Sequence, residues 1–180
     1  MSQKIIATGA ATLSNSFVGN TIQVCVVTSD FKRTINGFVE LGIGPWAAYT
    51  FGPGTVTEQT YMGQRVVHSM RLALATAGNM LWEVIQPLDG PSIYKDFLAA
   101  HGEGVHHVAI GCESLSFDRR IEEFEKRGCR KIQSGLWVGR VPYAYFATES
   151  LIGTTVEIFE IPPGFNFPPP EEWIPGPPSS

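Results

Sequence analysis

The chain has 180 residues, 43% of them hydrophobic and 17% charged, with a formal net charge of −4. That is enough apolar content for a packed core, and the scattered Lys and Arg do not form the basic stripe that nucleic-acid binding needs. No segment approaches the ~20 uninterrupted apolar residues of a membrane span, and Met1 to Leu13 is too weakly apolar for a secretory signal. Three cysteines (Cys25, Cys112, Cys129) are odd in number and form no CxxC pair, so they read as reduced thiols of a cytoplasmic protein.

Residues 1–19 are small and polar and predict an irregular lead-in. The first strand is Ile22 to Val27, followed by Thr28-Ser29-Asp30, which has N-cap chemistry. Phe31, Ile35, Phe38 and Val39 recur at helical spacing until Gly42. Pro45 and Trp46 read as the opening of a loop, with a turn at Phe51-Gly52-Pro53-Gly54. Three strands are then predicted, over Val56 to Met62, Arg65 to Ala75 and Met80 to Ile85, the last two joined by the turn residues Ala77-Gly78-Asn79. Ser92 to Ala100 is a connecting helix. A second round begins with the strand Val105 to Gly111 and the helix Phe117 to Phe124. Strands over Lys131 to Trp137, Arg140 to Thr148 and Thr154 to Ile161 complete it. From Pro162 the chain is Pro-rich and predicted extended or disordered, with Phe165, Phe167 and Trp173 able to dock it.

The two rounds align. A shift of 84 places Gln23 on His107, one of 86 places Ile35 on Ile121 and Phe38 on Phe124, and one of 74 places Glu83 on Glu157. The expected organisation is a lead-in over 1–19, a first βαβββ module over 20–90, a connecting helix over 91–103, a second module over 104–163 and a tail over 164–180. The fold class is α+β, with tandem βαβββ modules forming a curled mixed sheet around a shared metal cleft.

Gln23, Glu83, His107 and Glu157 are the polar residues at matched points of otherwise apolar strands. A carboxylate on a buried strand is costly unless it is paired or holds a cation. If the first and last strand of each module turn one residue inward, these four converge as three oxygen ligands and one nitrogen ligand. Two carboxylates with neutral Gln and His balance a divalent ion, and the donor types suit Zn, Co, Ni, Mn or Fe(II). On a strand His106 faces away from His107 and reads as a packing or rim residue, while His101 reads as a loop residue. His68 is placed to line the cleft; Arg140, Tyr143 and Tyr145, with Trp137, are candidates for a substrate-binding aromatic wall with a contact for an anionic group. Cys25 and Cys112 read as small core fillers.

The duplicated pattern, Gly104-Val105-His106-His107-Val108-Ala109-Ile110 and the ending Tyr145-Phe146-Ala147-Thr148-Glu149 through Val156-Glu157-Ile158 resemble the vicinal oxygen chelate superfamily, which has the glyoxalase fold. The resemblance covers about residues 20–163 and is strongest to the methylmalonyl-CoA epimerase-like branch. It implies metal ligands at His107, Gln23, Glu83 and Glu157. That branch has His where this chain has Gln23; Gln, Glu, His, Glu is the set of the zinc-type glyoxalase I branch. The implied function is a metal-dependent isomerase or epimerase on a small-molecule substrate such as a CoA thioester, acting by proton abstraction α to a carbonyl by Glu157 or Glu83 with an enediolate intermediate. The alternatives are a glyoxalase I-type lactoylglutathione lyase and a metal-free small-molecule binding protein of the same fold. Modules of this kind pair by edge strands, so a homodimer is expected, with no nucleic-acid or membrane partner.

Overall fold

The computed structural model describes residues 17–111 and 114–178, which leaves most of the predicted lead-in and Cys112 outside the described residues. The elements in chain order are β1 (Asn20–Val27), α1 (Phe31–Glu40), β2 (Trp46–Phe51), β3 (Val56–Tyr61), β4 (Gln64–Arg65), β5 (Met70–Ala77), β6 (Met80–Pro87) and α2 (Ile93–His101). They continue with β7 (Gly104–Gly111), α3 (Phe117–Lys126), β8 (Lys131–Trp137), β9 (Val141–Phe146), α4 (Glu149–Ile152), β10 (Thr155–Phe159) and β11 (Glu172–Ile174).

The helices begin where local chemistry starts them. Asp30, Ser92 and Ser116 each accept a hydrogen bond from the backbone N–H three residues on, satisfying a donor that the first turn leaves free. Helix α1 turns Phe31 and Ile35 onto Trp46, Ala48, Ala73 and Val84 of the sheet, and α3 lays Phe124 on Phe146 with ring centroids 4.1 Å apart. The helix period thus meets the strand period on one face of the sheet.

All strands form one mixed α+β sheet in the order β11-β2-β5-β6-β1-β7-β10-β9-β8-β3-β4. Its centre has a symmetric logic. β1 pairs parallel with β6 and β7 pairs parallel with β10, while β1 and β7 meet antiparallel. The sheet curls: Phe51 of β2 and Trp137 of β8, far apart in strand order, stack at 4.8 Å, and Tyr49 meets Trp137 edge-on at 5.6 Å. The face turned away from α1 and α3 becomes the inside of this curl, and α2 packs against it through Ile93 and Tyr94.

Three expectations are corrected. Trp46 opens a strand instead of a loop: Trp46 and Ala48 face the helix side, Tyr49 and Phe51 the inside, a period of two running through β2. Val56–Tyr61 is therefore not the second strand of the first round. It crosses over from the first half and pairs with β8, covering that edge with a hairpin completed by β4. The predicted single strand over Arg65 to Ala75 is interrupted at residues 66–69.

The tail is docked. Phe165 and Phe167 lie 5.8 Å from Trp137, Glu171 accepts hydrogen bonds from the backbone N–H and hydroxyl of Thr50, and Glu172 pairs with Arg71. β11 then adds to β2 and covers the other edge of the sheet.

Candidate metal centre

Strand alternation decides which side chains face the inside. In β6, Glu83 and Ile85 point inward while Val84 packs on the helix side; in β10, Val156 and Ile158 pack on the helix side and Glu157 points inward. Gln23 and Cys25 share the inward register of β1. The parallel pairings and the central antiparallel one then bring the four strands' inward residues together.

The result is a closed circuit of donors. Gln23 Nε2 donates to Glu83 Oε2 and to Glu157 Oε2, each at 3.1 Å. His107 Nε2 lies 3.2 Å from the same two oxygens. All four residues are at least nine-tenths buried, and all come from one chain. Although it sits at ion-pair distance from both carboxylates, His107 Nε2 makes no aligned hydrogen bond among the described residues. Two carboxylates sharing one small volume repel unless positive charge stands between them.

The electrostatics follow from that crowding. Burial opposes charge on the His107 ring, and the two carboxylates outweigh it, raising its pKa to about 9. Burial lifts Glu157 above the ordinary carboxylate range; His107 and a hydrogen bond from Tyr145 oppose the rise, and Glu83 reinforces it. Below about pH 9 the site therefore holds a proton on His107, and any cation entering must displace it. The sign is fixed: cation affinity falls as pH falls and rises as pH approaches 9.

His106 is not a rim residue. Its ring is 4% exposed, packs on Phe97 and Tyr94, and brings Nδ1 to 2.8 Å from Nδ1 of His107. Burial, with the neighbouring His107, holds His106 well below the ordinary histidine range, so it is neutral at pH 7. A neutral His106 accepting at Nδ1 fixes the proton of a neutral His107 on its own Nδ1, leaving the Nε2 lone pair facing the carboxylates.

Cys25 is likewise more than filler. It is cross-strand neighbour to both Glu83 and His107, and the three donor atoms lie within 4.8 Å of one another. Burial, then the charge of Glu83, raise its thiol well above the ordinary value, so it stays protonated. Its position two residues after Gln23 was the available signal.

The remaining candidates separate. Tyr143 and Tyr145 line the cleft beside the tetrad, with Tyr145 Oη 2.8 Å from Tyr94 Oη. Tyr143 fits against β8 because residue 135 is glycine: a Cβ there would stand 2.4 Å from Tyr143 Oη. His68 and Arg140 do not line the cleft. His68 is buried elsewhere with its backbone held by the Gln59 side chain, and Arg140 is exposed in the turn between β8 and β9. Leu74, Leu81, Phe159 and Phe167 are among the apolar residues that also line the cleft, and were not foreseen as site residues.

A single chain folding two strand-helix-strand units into one curled sheet, with its polar residues gathered at the centre of the inside, is the architecture of the glyoxalase fold. A sequence profile of the glyoxalase/bleomycin resistance protein/dioxygenase superfamily matches residues 22–145, and the chain belongs to that superfamily. No curated protein sequence matches it. Among solved structures it is similar to methylmalonyl-CoA epimerase from Mycobacterium tuberculosis, at 18% identity over 84% of this chain and 93% of that one, with a TM-score of 0.58. The hypothetical protein BH1468 from Bacillus halodurans C-125 is similar at 20% identity, 82% and 98% coverage and a TM-score of 0.57. A methylmalonyl-CoA epimerase in complex with methylmalonyl-CoA and NH4+ is similar at 17% identity, 81% and 96% coverage and a TM-score of 0.53. At these identities the likeness is one of fold. No helix among the described residues is long and apolar enough to cross a membrane.

Proposed function

We propose that this protein is a divalent-metal-dependent isomerase or epimerase that moves a proton at a carbon next to a carbonyl, with Gln23, Glu83, His107 and Glu157 as metal ligands. The observation that carries this reading is the donor circuit, with edges of 3.1–3.2 Å. Donors about 3 Å apart are what bonds of about 2.1 Å to one ion require. Two carboxylates, one imidazole and one amide oppose a dication with equal charge, and a 180° turn of the Gln23 amide brings Oε1 to the inward position. The orphaned Nε2 of His107, with its proton assigned to Nδ1 by His106, is the donor such an ion would use. The residues present fit the group.

A divalent ion held there would supply the positive charge that acidifies a C–H beside a bound carbonyl. The chain's own residues do the rest. Glu157, at the cleft and raised toward neutrality by burial, takes the α-proton and returns it. Glu83 stays as the second carboxylate of the pair, and Tyr145 holds the Glu157 carboxylate in place. The apolar wall of Leu72, Leu74 and Phe159 keeps water from competing for the carbanionic carbon. The epimerase neighbours support an epimerase-type outcome at the level of fold, and Gln23 supports the glyoxalase I-type lyase as the second reading, since that reaction begins with the same proton transfer.

The test is deuterium wash-in at the α-carbon in D2O. The probes are methylmalonyl-CoA, the methylglyoxal–glutathione hemithioacetal and the neutral hydroxyketone 1-hydroxy-1-phenylpropan-2-one. Exchange in at least one probe, abolished by chelator and restored by Zn, Co, Ni or Mn, is expected. No exchange in any of them, or exchange indifferent to chelator, would overturn the proposal.

A further inference from the structure

The cleft walls define a substrate class. Among the described residues, besides Gln23, Glu83 and Glu157 the polar groups lining it are the phenols of Tyr143 and Tyr145 and the indole of Trp137; the rest is apolar. No Lys or Arg of the described residues reaches it. Arg140 is exposed in its turn, Arg71 is held by Glu172, Arg33 by Glu103, and Arg120 is buried against the carbonyls of Phe17 and Ile110. Leu74, Leu81 and Phe167 also line a second groove, which continues from the cleft mouth beneath Pro168–Pro170 of the tail and contains no charged side chain. An anionic handle placed along this path would lose water and find no cation among the described residues in exchange, a penalty that favours an uncharged group.

The geometry points to an uncharged carbonyl substrate with an apolar aryl or alkyl extension. Its oxygens face Gln23, Glu83, His107 and Glu157, its extension runs past Leu74, Leu81 and Phe167 toward the groove under the tail, and it carries no coenzyme A or glutathione handle. This assignment rests on the metal-site reading above and deepens it.

The test uses the full-length, Zn-loaded protein and the fluorescence of Trp137, which lines the cleft. Two probes share one chelating end: 1-hydroxy-1-phenylpropan-2-one and its analogue with a carboxylate at the para position of the ring. The neutral probe should quench with a Kd at least tenfold below that of the carboxylate, and Trp137→Phe should reduce the signal to what Trp173, which lines the groove under the tail, contributes. Leu81→Arg, which adds a cation at the mouth on a half-buried position, should tighten the carboxylate probe at least fivefold. Equal or tighter binding of the carboxylate probe or of methylmalonyl-CoA to the unaltered protein, no quenching by the neutral probe, or quenching undiminished by Trp137→Phe would each overturn the inference. The readout is binding, so the two readings fail separately. Selective neutral binding without deuterium exchange removes the proton-transfer reading and leaves the substrate class, whereas exchange confined to methylmalonyl-CoA does the reverse.

Discussion

Glu157→Gln should slow α-proton exchange by about 10²–10⁴-fold, the range that a positioned general base contributes. The substitution is isosteric, so the 5%-exposed side chain keeps its packing, and the amide oxygen can still face the centre of the site. What is lost is the basic oxygen, with its pKa raised by burial, beside the path of the substrate. Stability should not fall with activity. Burial, with repulsion from Glu83, disfavours the Glu157 charge by more than His107 favours it, so the metal-free variant should melt no lower than the parent. Exchange rates and thermal melts on the same preparation, with its metal content determined, check both halves. Exchange within tenfold of the parent would move the proton-transfer role off Glu157, with Glu83 the remaining carboxylate of the pair.

Trp137→Ala should be the most destabilising single change in the cleft, because one side chain ties three parts of the chain together. It stacks on Phe51, meets Tyr49 edge-on and receives Phe165 and Phe167 from the tail, at 5% exposure. Deleting a buried indole costs about 3–5 kcal/mol. At about 2–4 °C per kcal/mol for a chain of this size, the melting temperature should drop by about 6–20 °C. The loss is also local, since the sheet's curl brings β2 and β8 together through this ring. Limited chymotrypsin digestion should therefore cut at Phe165, whose next residue is Asn166, well before global unfolding. Trp137→Phe, which keeps an aromatic face, should retain most of the stability. A melt unchanged by Trp137→Ala would mean that β3 alone, by pairing with β8, holds the curl.

How much of this was legible beforehand depends on the kind of signal. The repeat of strand and helix was visible because apolar periodicity is a local property, and the registers of 84, 86 and 74 recur in β1 and β7, α1 and α3, and β6 and β10. The tetrad was visible for a related reason: polar residues at matched points of buried strands are costly, and all four of those residues do converge. What was hidden depends on contacts between distant segments. Trp46–Phe51 carried a strand's alternation, but Pro45 before it and the Gly-Pro-Gly turn after it masked the signal. The crossing of Val56–Tyr61 to β8 is a tertiary choice that no local window encodes. His106 was assigned by strand parity alone, and parity places the Cβ, while the ring's own reach brings Nδ1 back to His107. Arg140 was given an anionic partner on chemical type, yet a turn residue between two strands points to solvent. The tail read as extended or disordered, with Phe165, Phe167 and Trp173 able to dock it; those residues do lie against the body, and the carboxylates of Glu171 and Glu172 add contacts that the prolines did not suggest.

In the proposed site Gln23, Glu83, His107 and Glu157 together hold one divalent ion. Titration of the metal-free protein with Co(II), followed by absorption spectroscopy at pH 7 and pH 8, tests it most directly. One ion per chain should bind, with a spectrum of oxygen and nitrogen ligands and no thiolate charge transfer, because Gln23, Glu83, His107 and Glu157 supply the donors in the proposed site and Cys25 does not. Binding should also be about tenfold tighter at pH 8 than at pH 7, as one proton leaves His107 for each ion bound. Absence of binding, a thiolate charge-transfer band that places Cys25 in the ligand set, or an affinity indifferent to pH would contradict it.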